Sequence, residues 1–278
     1  MSTTNTYIPR GPAETELTFY VPPADGSTPF NYVESPPEGY PQRNYLEGPQ
    51  SITLTDIRGQ ENAFNLDDHA FQVLQNIPTQ TTYSSFDTDD AVKTKYYPEV
   101  ESLLFNTLPS VHKVILFDHT IRRQTPNSPR QPVNRAHVDQ TPKAAAERVR
   151  LHVSDPEEAE RLLRGRYRII NVWKPLNGTV QSAPLAFASG ASVSPEDLVP
   201  VEHRYPHRTG ETMGVRYNPK QEWMYLSGMQ DEERLLLKCC DTADGVRERV
   251  PHTAFWDRRT PEDAKPRESI EVRALVFG

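Results

Sequence analysis

The residues of this chain best able to do chemistry are a His-x-Asp triplet, His137-Val138-Asp139, with His252 lying 113 positions beyond the carboxylate. Residues two apart on a strand project to the same face, so His137 and Asp139 can meet one ion there. Two imidazoles and one carboxylate on one side of an open-coordinated metal are the donor set of a non-haem Fe(II) oxygenase. Arg267 and Ser269 follow, fifteen and seventeen residues after His252. A guanidinium and a hydroxyl on one strand face can hold a carboxylate through charge-assisted hydrogen bonds, as the far end of 2-oxoglutarate requires. The set predicts metal ligation by His137, Asp139 and His252 and co-substrate binding by Arg267 and Ser269, with Fe(II), 2-oxoglutarate and O2 as the reactive partners.

Each residue gains weight from the others. In a chain with eight His and 38 acidic residues a lone His-x-Asp is a chance-level pattern. His252 follows Pro251 and precedes the aromatic pair Phe255 and Trp256, whereas the other histidines are poorer candidates. His112 falls in an apolar strand pattern, His69 on a helix, and His203 and His207 in a loop rich in Pro and Arg. Arg273 shares the strand face of Arg267 and Ser269 and competes with Arg267 for the carboxylate. A salt-bridged strand, with these arginines paired to Glu268 or Glu271, is the competing structural reading. Asn171, a polar amide between Ile170 and Val172, must find partners in an apolar strand, and a co-substrate or the far side of a metal ligand would serve. Trp173, Trp223 and Tyr225 are the aromatic candidates for a pocket wall, although large aromatics on strands more often bury their area in the core.

The elements that must position these residues are mostly strands. The first fifty residues hold nine of the 26 prolines and five of the 12 tyrosines, which predicts an extended, irregular arm over 1–50 anchored on the body by its aromatics. A single domain over 51–278 follows. Alternation marks a strand at Ser51–Ile57, and helical spacing of Phe71, Leu74 and Ile77 predicts a helix over Asp68–Ile77. A second helical region spans Ala91–Leu108, interrupted near Pro98. Val111–Phe117 reads as a buried strand. Thr141 and Pro142 open a helix to His152, and the Ser154–Glu157 capping pattern opens another over Asp155–Arg164. Strands resume at Arg166–Trp173, Glu222–Leu226, Arg234–Cys240 and Glu268–Phe277, with weaker ones near Leu185–Val193 and Met213–Tyr217. Early helices followed by separated strands give an α+β chain, and strand-borne ligands suit a jelly roll that closes around a site at one mouth.

Composition excludes several partners. A net charge of −7 without a basic stripe argues against nucleic acid. No run of about eighteen apolar residues exists to span a membrane, and Met1–Arg10 lacks the pattern of a secretory signal. The adjacent Cys239 and Cys240 suit neither an ordinary disulfide nor a thiolate metal site, so a cytoplasmic protein acting on a small molecule is expected.

The strings Asn171-Val-Trp-Lys-Pro-Leu176, Pro251-His-Thr-Ala-Phe255 and Arg267-Glu-Ser-Ile-Glu-Val-Arg273 resemble the fungal hydroxylase/desaturase family of non-haem iron, 2-oxoglutarate-dependent oxygenases. The resemblance also takes in Asn31–Ser35, Thr53–Gly59 and Lys238–Asp241, nearly the whole chain. It implies a double-stranded β-helix core with flanking helices, His137, Asp139 and His252 as iron ligands, and Arg267 as the 2-oxoglutarate anchor. The implied activity is oxidation of an unactivated C–H bond of a small secondary metabolite or its precursor, by hydroxylation or by desaturation or ring formation. Two other classes stay open at this point. A Zn(II) hydrolase could use the same ligands, and a non-catalytic accessory subunit of an oxygenase could keep them.

Overall fold

The structure, a computed structural model, describes residues 7–124 and 132–278. The N-terminal region supplies β1 (Ala13–Val21), β2 (Phe30–Tyr32) and β3 (Leu46–Asp56). Residues 1–6 of the expected arm lie outside the described residues. Over 13–21 the irregular course is replaced by a regular strand: Ala13, Thr15, Leu17 and Phe19 are buried at a period of two, and β1 pairs antiparallel with β3 along its length. None of the prolines falls within β1: Pro9 and Pro12 precede it, six lie between β1 and β3, and Pro49 sits in β3 opposite Thr18.

A helix over Asp68–Ile77 does not form. The chain makes one turn, α1 (Leu66–His69), and then β4 (Phe71–Leu74). Ala70, at φ 63°, is a left-handed cap that stops the helix. Phe71 and Val73 then bury on one side at strand period. The second helical region does form, as α2 (Asp89–Ala91), a π-helical turn over Val92–Tyr96 and α3 (Tyr97–Thr107). The interruption precedes Pro98, which sits in the first turn of α3, where a missing N–H costs nothing.

The remaining elements are β5 (Lys113–Arg123), β6 (His137–Val138), α4 (Pro142–His152), α5 (Pro156–Leu163), β7 (Tyr167–Pro175), β8 (Leu185–Ala188), β9 (Leu198–Arg204), β10 (Thr209–Val215), β11 (Trp223–Tyr225), β12 (Arg234–Asp241), β13 (His252–Ala254) and β14 (Glu268–Phe277). His203 therefore lies on β9, within a hairpin with β10, and not in a loop. One sheet has the order β4-β12-β7-β14-β5, and the other β1-β3-β11-β8-β13-β6-β10-β9-β2. From β5 to β8 successive strands alternate between the sheets, and β11 to β14 do so again. This alternation is the double-stranded β-helix, with β1–β3 and the β9–β10 hairpin extending the larger sheet.

Period two on β7 and β14 divides inside from outside. Ile170, Val172, Ile270 and Val272 face outward into a core with Val100 and Leu104 of α3. Asn171, Trp173, Ser269, Glu271 and Arg273 face the space between the sheets. Helices α4 and α5 pack Ala145, Val149, Ala159 and Leu162 against Ile169, Cys239 and Leu275. Cys239 and Cys240 are both free and buried. Among the described residues no helix is long and apolar enough to cross a membrane.

Thr141 links the helix layer to the site. Its hydroxyl oxygen accepts from Ala144 N at 3.0 Å and its O–H donates to Glu211 at 2.7 Å, two residues after Asp139. Asp155, one residue beyond Ser154, caps α5 in the same manner. Thr141→Ala is expected to cost about 1–2 kcal/mol of stability through loss of the cap, measured by urea unfolding. A change within a few tenths would show that Glu211 and the helix do not depend on that hydroxyl.

Candidate metal centre and co-substrate pocket

The sheet topology makes His137 and His252 direct partners: β13 pairs antiparallel with β6, His252 opposite His137. Their rings are 4.5 Å apart between centroids. Asp139 lies just past the end of β6, its Oδ1 3.3 Å from His137 Nε2 and 4.0 Å from His252 Nε2. One ligand atom from each of the three lies within 4.8 Å of the others.

The opposite side of each ligand is tied to protein. His137 Nδ1 is 2.8 Å from Arg135 O and His252 Nδ1 is 3.3 Å from Val250 O. An Nδ1–H donated to each carbonyl leaves both Nε2 lone pairs turned inward, the tautomer a metal needs. Asp139 Oδ2 accepts from Asn171 Nδ2 at 2.8 Å and from Arg273 Nε at 2.8 Å, leaving Oδ1 for the ion. Asn171 and Arg273 are cross-strand neighbours on β7 and β14, which is why they reach the same oxygen.

Electrostatics follows the same geometry. Burial opposes ionisation of Asp139, but Arg273 and the two imidazoles outweigh it and hold the carboxyl well below its usual range. Burial, then the neighbouring His137, pushes His252 down to about 4. His203 is also pushed down to about 4, by burial and Arg135. His252 and His203 are therefore neutral in the metal-free fold at neutral pH. The unfolded chain takes up protons below its ordinary histidine value of about 6.5 while the fold does not, so stability is full above that pH and declines as pH falls toward 4. His252 alone is worth about 3 kcal/mol across this window. Urea unfolding of metal-free protein at pH 7 and pH 5 should show the decline, and equal midpoints would contradict it.

Arg267 occupies the adjoining narrow pocket, walled by His137, His252, Trp173, Ser269 and Glu271. It is 3% exposed, its guanidinium lies 5.6 Å from the Trp173 ring centroid, and one N–H donates to Ala183 O. Among the described residues no carboxylate pairs with it. Arg267 Nε and Ser269 Oγ are both buried without a hydrogen-bond partner. Burial, then repulsion from Arg122, lowers the guanidinium to about 10. A buried cation without an anion is costly, and the donor and hydroxyl left open beside it are the groups a carboxylate could satisfy. The pocket as it stands, about 20 Å³, has room for one water, so a dicarboxylate must exchange the Ala183 contact for its own.

The structure thus gathers His137, His252, Arg267, Ser269 and Trp173 around one pocket, with Asp139 beside the two imidazoles and Asn171 bonded to it. Arg273 belongs to the same face but turns to Asp139, and its other N–H groups meet Asp118 at 3.0 Å, Thr120 at 3.1 Å and Glu271 at 2.6 Å. Trp223 and Tyr225 are elsewhere, in a cluster with Phe19 and Phe255, where Tyr225 Oη donates to Gly11 O. The ion-pair reading of β14 applies to Arg273 with Glu271, while Glu268 is taken by Arg123 at 2.9 Å. Asp118 and Thr120 were not among the sequence candidates, and Glu271 stood there only as an ion-pair partner. The polar positions 269, 271 and 273 alternating with Ile270 and Val272 were the available signal for Glu271.

A double-stranded β-helix with two histidines and a carboxylate converging beside a buried, acid-free arginine defines the class of non-haem iron, 2-oxo-acid-dependent oxygenases. The relatives agree. A family model described as the oxidoreductase/YMDC permease-like domain matches residues 17–277. The hydroxylase/desaturase poxK of Penicillium oxalicum is 38% identical over 259 residues, covering 81% of this chain and 78% of that protein. The Fe(II)/2-oxoglutarate-dependent dioxygenase nvfI of Aspergillus novofumigatus is 35% identical over 231 residues, 80% of this chain and 81% of its own. The solved structure of the iron and alpha-ketoglutarate-dependent endoperoxidase NvfI superposes with a TM-score of 0.88 at 31% identity, over 97% of this chain and 99% of that one. The chain belongs to the fungal hydroxylase/desaturase family of Fe(II)/2-oxoglutarate-dependent oxygenases. Its cofactor set is Fe(II), 2-oxoglutarate and O2.

Proposed function

We propose that His137 Nε2, Asp139 Oδ1 and His252 Nε2 hold Fe(II), that Arg267 and Ser269 hold the distal carboxylate of 2-oxoglutarate, and that the enzyme hydroxylates an unactivated C–H bond of a small secondary metabolite. The observation that carries this reading is the pairing of three inward-turned ligand atoms with a buried arginine that has no acid of its own. When bound, iron and 2-oxoglutarate supply oxidation of the substrate coupled to release of succinate and carbon dioxide.

The protein's share is positioning and protection. Arg135 O and Val250 O fix the imidazole tautomers. Asn171 and Arg273 occupy Asp139 Oδ2, so the carboxylate would offer a metal its Oδ1 alone. Trp173 packs beside Arg267 and keeps water from the guanidinium–carboxylate contact, which strengthens it. The same hydrogen removal leads to a double bond or a ring when a second hydrogen is lost, so substrate placement selects the product. A zinc hydrolase would leave Arg267 and Ser269 without a task.

Oxygen uptake that requires added 2-oxoglutarate and Fe(II), with succinate formed in proportion, tests the activity. Uptake independent of 2-oxoglutarate would overturn it. Arg273→Gln is expected to weaken Fe(II) binding by about 10–100-fold through the loosened Asp139, with Asn171→Ala smaller in the same direction. Anaerobic metal titration measures both, and unchanged affinity in both variants would remove their orienting role.

A further inference from the structure

Asp139 also forms part of the wall of a second cavity, of about 310 Å³, between α4 and the β9–β10 hairpin. Both of its sides are fastened to the metal centre by the chain. Helix α4 begins three residues after Asp139, and β10 pairs with β6, Gly214 opposite His137. The cavity lined by Arg267 includes His137 and His252, whereas this one includes Asp139. A molecule here meets Asp139 without entering the pocket that holds Arg267.

The polar groups around this space are matched to a ligand better than to each other. Arg148 and Arg208 both line it, and neither guanidinium forms an ion pair or hydrogen bond among the described residues. Each instead rests on an aromatic ring, Arg148 on Phe117 at 5.5 Å and Arg208 on Tyr205 at 3.9 Å. Stacking fixes the plane of a guanidinium and leaves its N–H edge available. Of the acids at the same cavity, Asp139 is engaged by Asn171 and Arg273, both at 2.8 Å, Glu211 by Thr141 and Lys143, both at 2.7 Å, and Glu147, like Arg208, is exposed. His203 is bonded to Thr212 at 2.9 Å. Gln140 is 5% exposed, lines the cavity and makes no side-chain hydrogen bond among the described residues. An amide on the cavity wall with donor and acceptor both unspent is available to a polar ligand there.

We propose that this cavity binds the primary substrate, and that the substrate is a small organic carboxylate whose anionic end is held by Arg148 and Arg208 while Gln140 hydrogen-bonds an oxygen nearer the reacting carbon. The proposal rests on the reading of His137, Asp139 and His252 as the reaction centre, and it names the substrate class for that centre. Two arginines select a planar anion bidentately, and an uncharged isostere gains nothing from them.

The test uses p-trifluoromethylbenzoate and its uncharged counterpart p-trifluoromethylbenzamide, followed by fluorine NMR on the full chain. The protein is loaded anaerobically with Fe(II) and saturating 2-oxoglutarate, so that Arg267 is already occupied. The benzoate is expected to bind about tenfold or more tighter than the benzamide, with its line broadened by the nearby iron. Arg148→Gln/Arg208→Gln should lose that preference, and Arg148→Lys/Arg208→Lys should restore part of it. No benzoate binding, equal binding of acid and amide, or an unchanged preference in the Gln variant would overturn the proposal. The absorption band of the Fe(II)–2-oxoglutarate complex in the same samples separates the two readings. A band without acid preference removes the substrate class alone, and no band removes the reaction centre with it.

Discussion

Asp139→Ala is expected to reduce Fe(II)- and 2-oxoglutarate-dependent succinate formation to background and to abolish Fe(II) binding in anaerobic titration. The carboxylate supplies the only charged ligand of the three, and His137 and His252 alone offer two neutral nitrogens on neighbouring strands. The same variant strips a buried counter-charge from Arg273, whose Nε donates to Asp139. Arg273 keeps Asp118, Thr120 and Glu271, so the fold is retained at a cost of about 3 kcal/mol. His137→Ala should lose metal as well, but without that penalty, because a neutral imidazole bonded to the Arg135 carbonyl leaves the Asp139–Arg273 pair in place. Turnover that survives in either variant would sink the ligand assignment. Equal melting temperatures for the two metal-free variants would show that Asp139 does not balance Arg273.

How much of this was legible in the sequence depended on whether a residue's task was local or set by its neighbours across a sheet. His137 and Asp139 advertised themselves because a spacing of two places both on one face, whatever the rest of the chain does. His252, Arg267 and Ser269 were singled out by residue type and order, and the fold brings them to one pocket. Thr141-Pro142 carried its helix start in a side chain and a missing N–H, and α4 begins there. The failures are of another kind. Phe71, Leu74 and Ile77 satisfy helical spacing, but Phe71 and Val73 also satisfy strand spacing, and pairing of β4 with β12 decides between them. That pairing is invisible to a local window. The N-terminal region failed similarly: prolines and tyrosines suggested an irregular arm, and β3 recruits residues 13–21 into the larger sheet. Arg273 is the most instructive case. Its strand face was read correctly, yet its partner, Asp139, lies 134 residues away, and only the registry of β7 with β14 shows that Asn171 stands beside it.

That registry separates two arginines six residues apart into roles with opposite signatures. Arg267→Ala is expected to raise the KM for 2-oxoglutarate on the order of a hundredfold while Fe(II) affinity is kept, because truncating one partner of a buried charge-assisted contact costs several kcal/mol. Without co-substrate the variant should be no less stable than the wild type, and more stable if the cavity refills. It removes a buried guanidinium with no acid partner among the described residues, along with a donor, Nε, that has no acceptor. Ser269→Ala should move the same KM in the same direction by less, since its Oγ is likewise unpartnered in the fold. Arg273→Ala should do the reverse, losing stability and Fe(II) affinity together. In thermal melts, 2-oxoglutarate should stabilise the wild type loaded with Fe(II) and leave Arg267→Ala unmoved, since ligand stabilisation scales with affinity at fixed concentration. If Arg273→Ala gives the selective KM effect and Arg267→Ala the loss of iron, the two assignments exchange. The physical reason for betting otherwise is charge balance: Arg273 already has three carboxylates, Asp118, Asp139 and Glu271, and Arg267 waits for one.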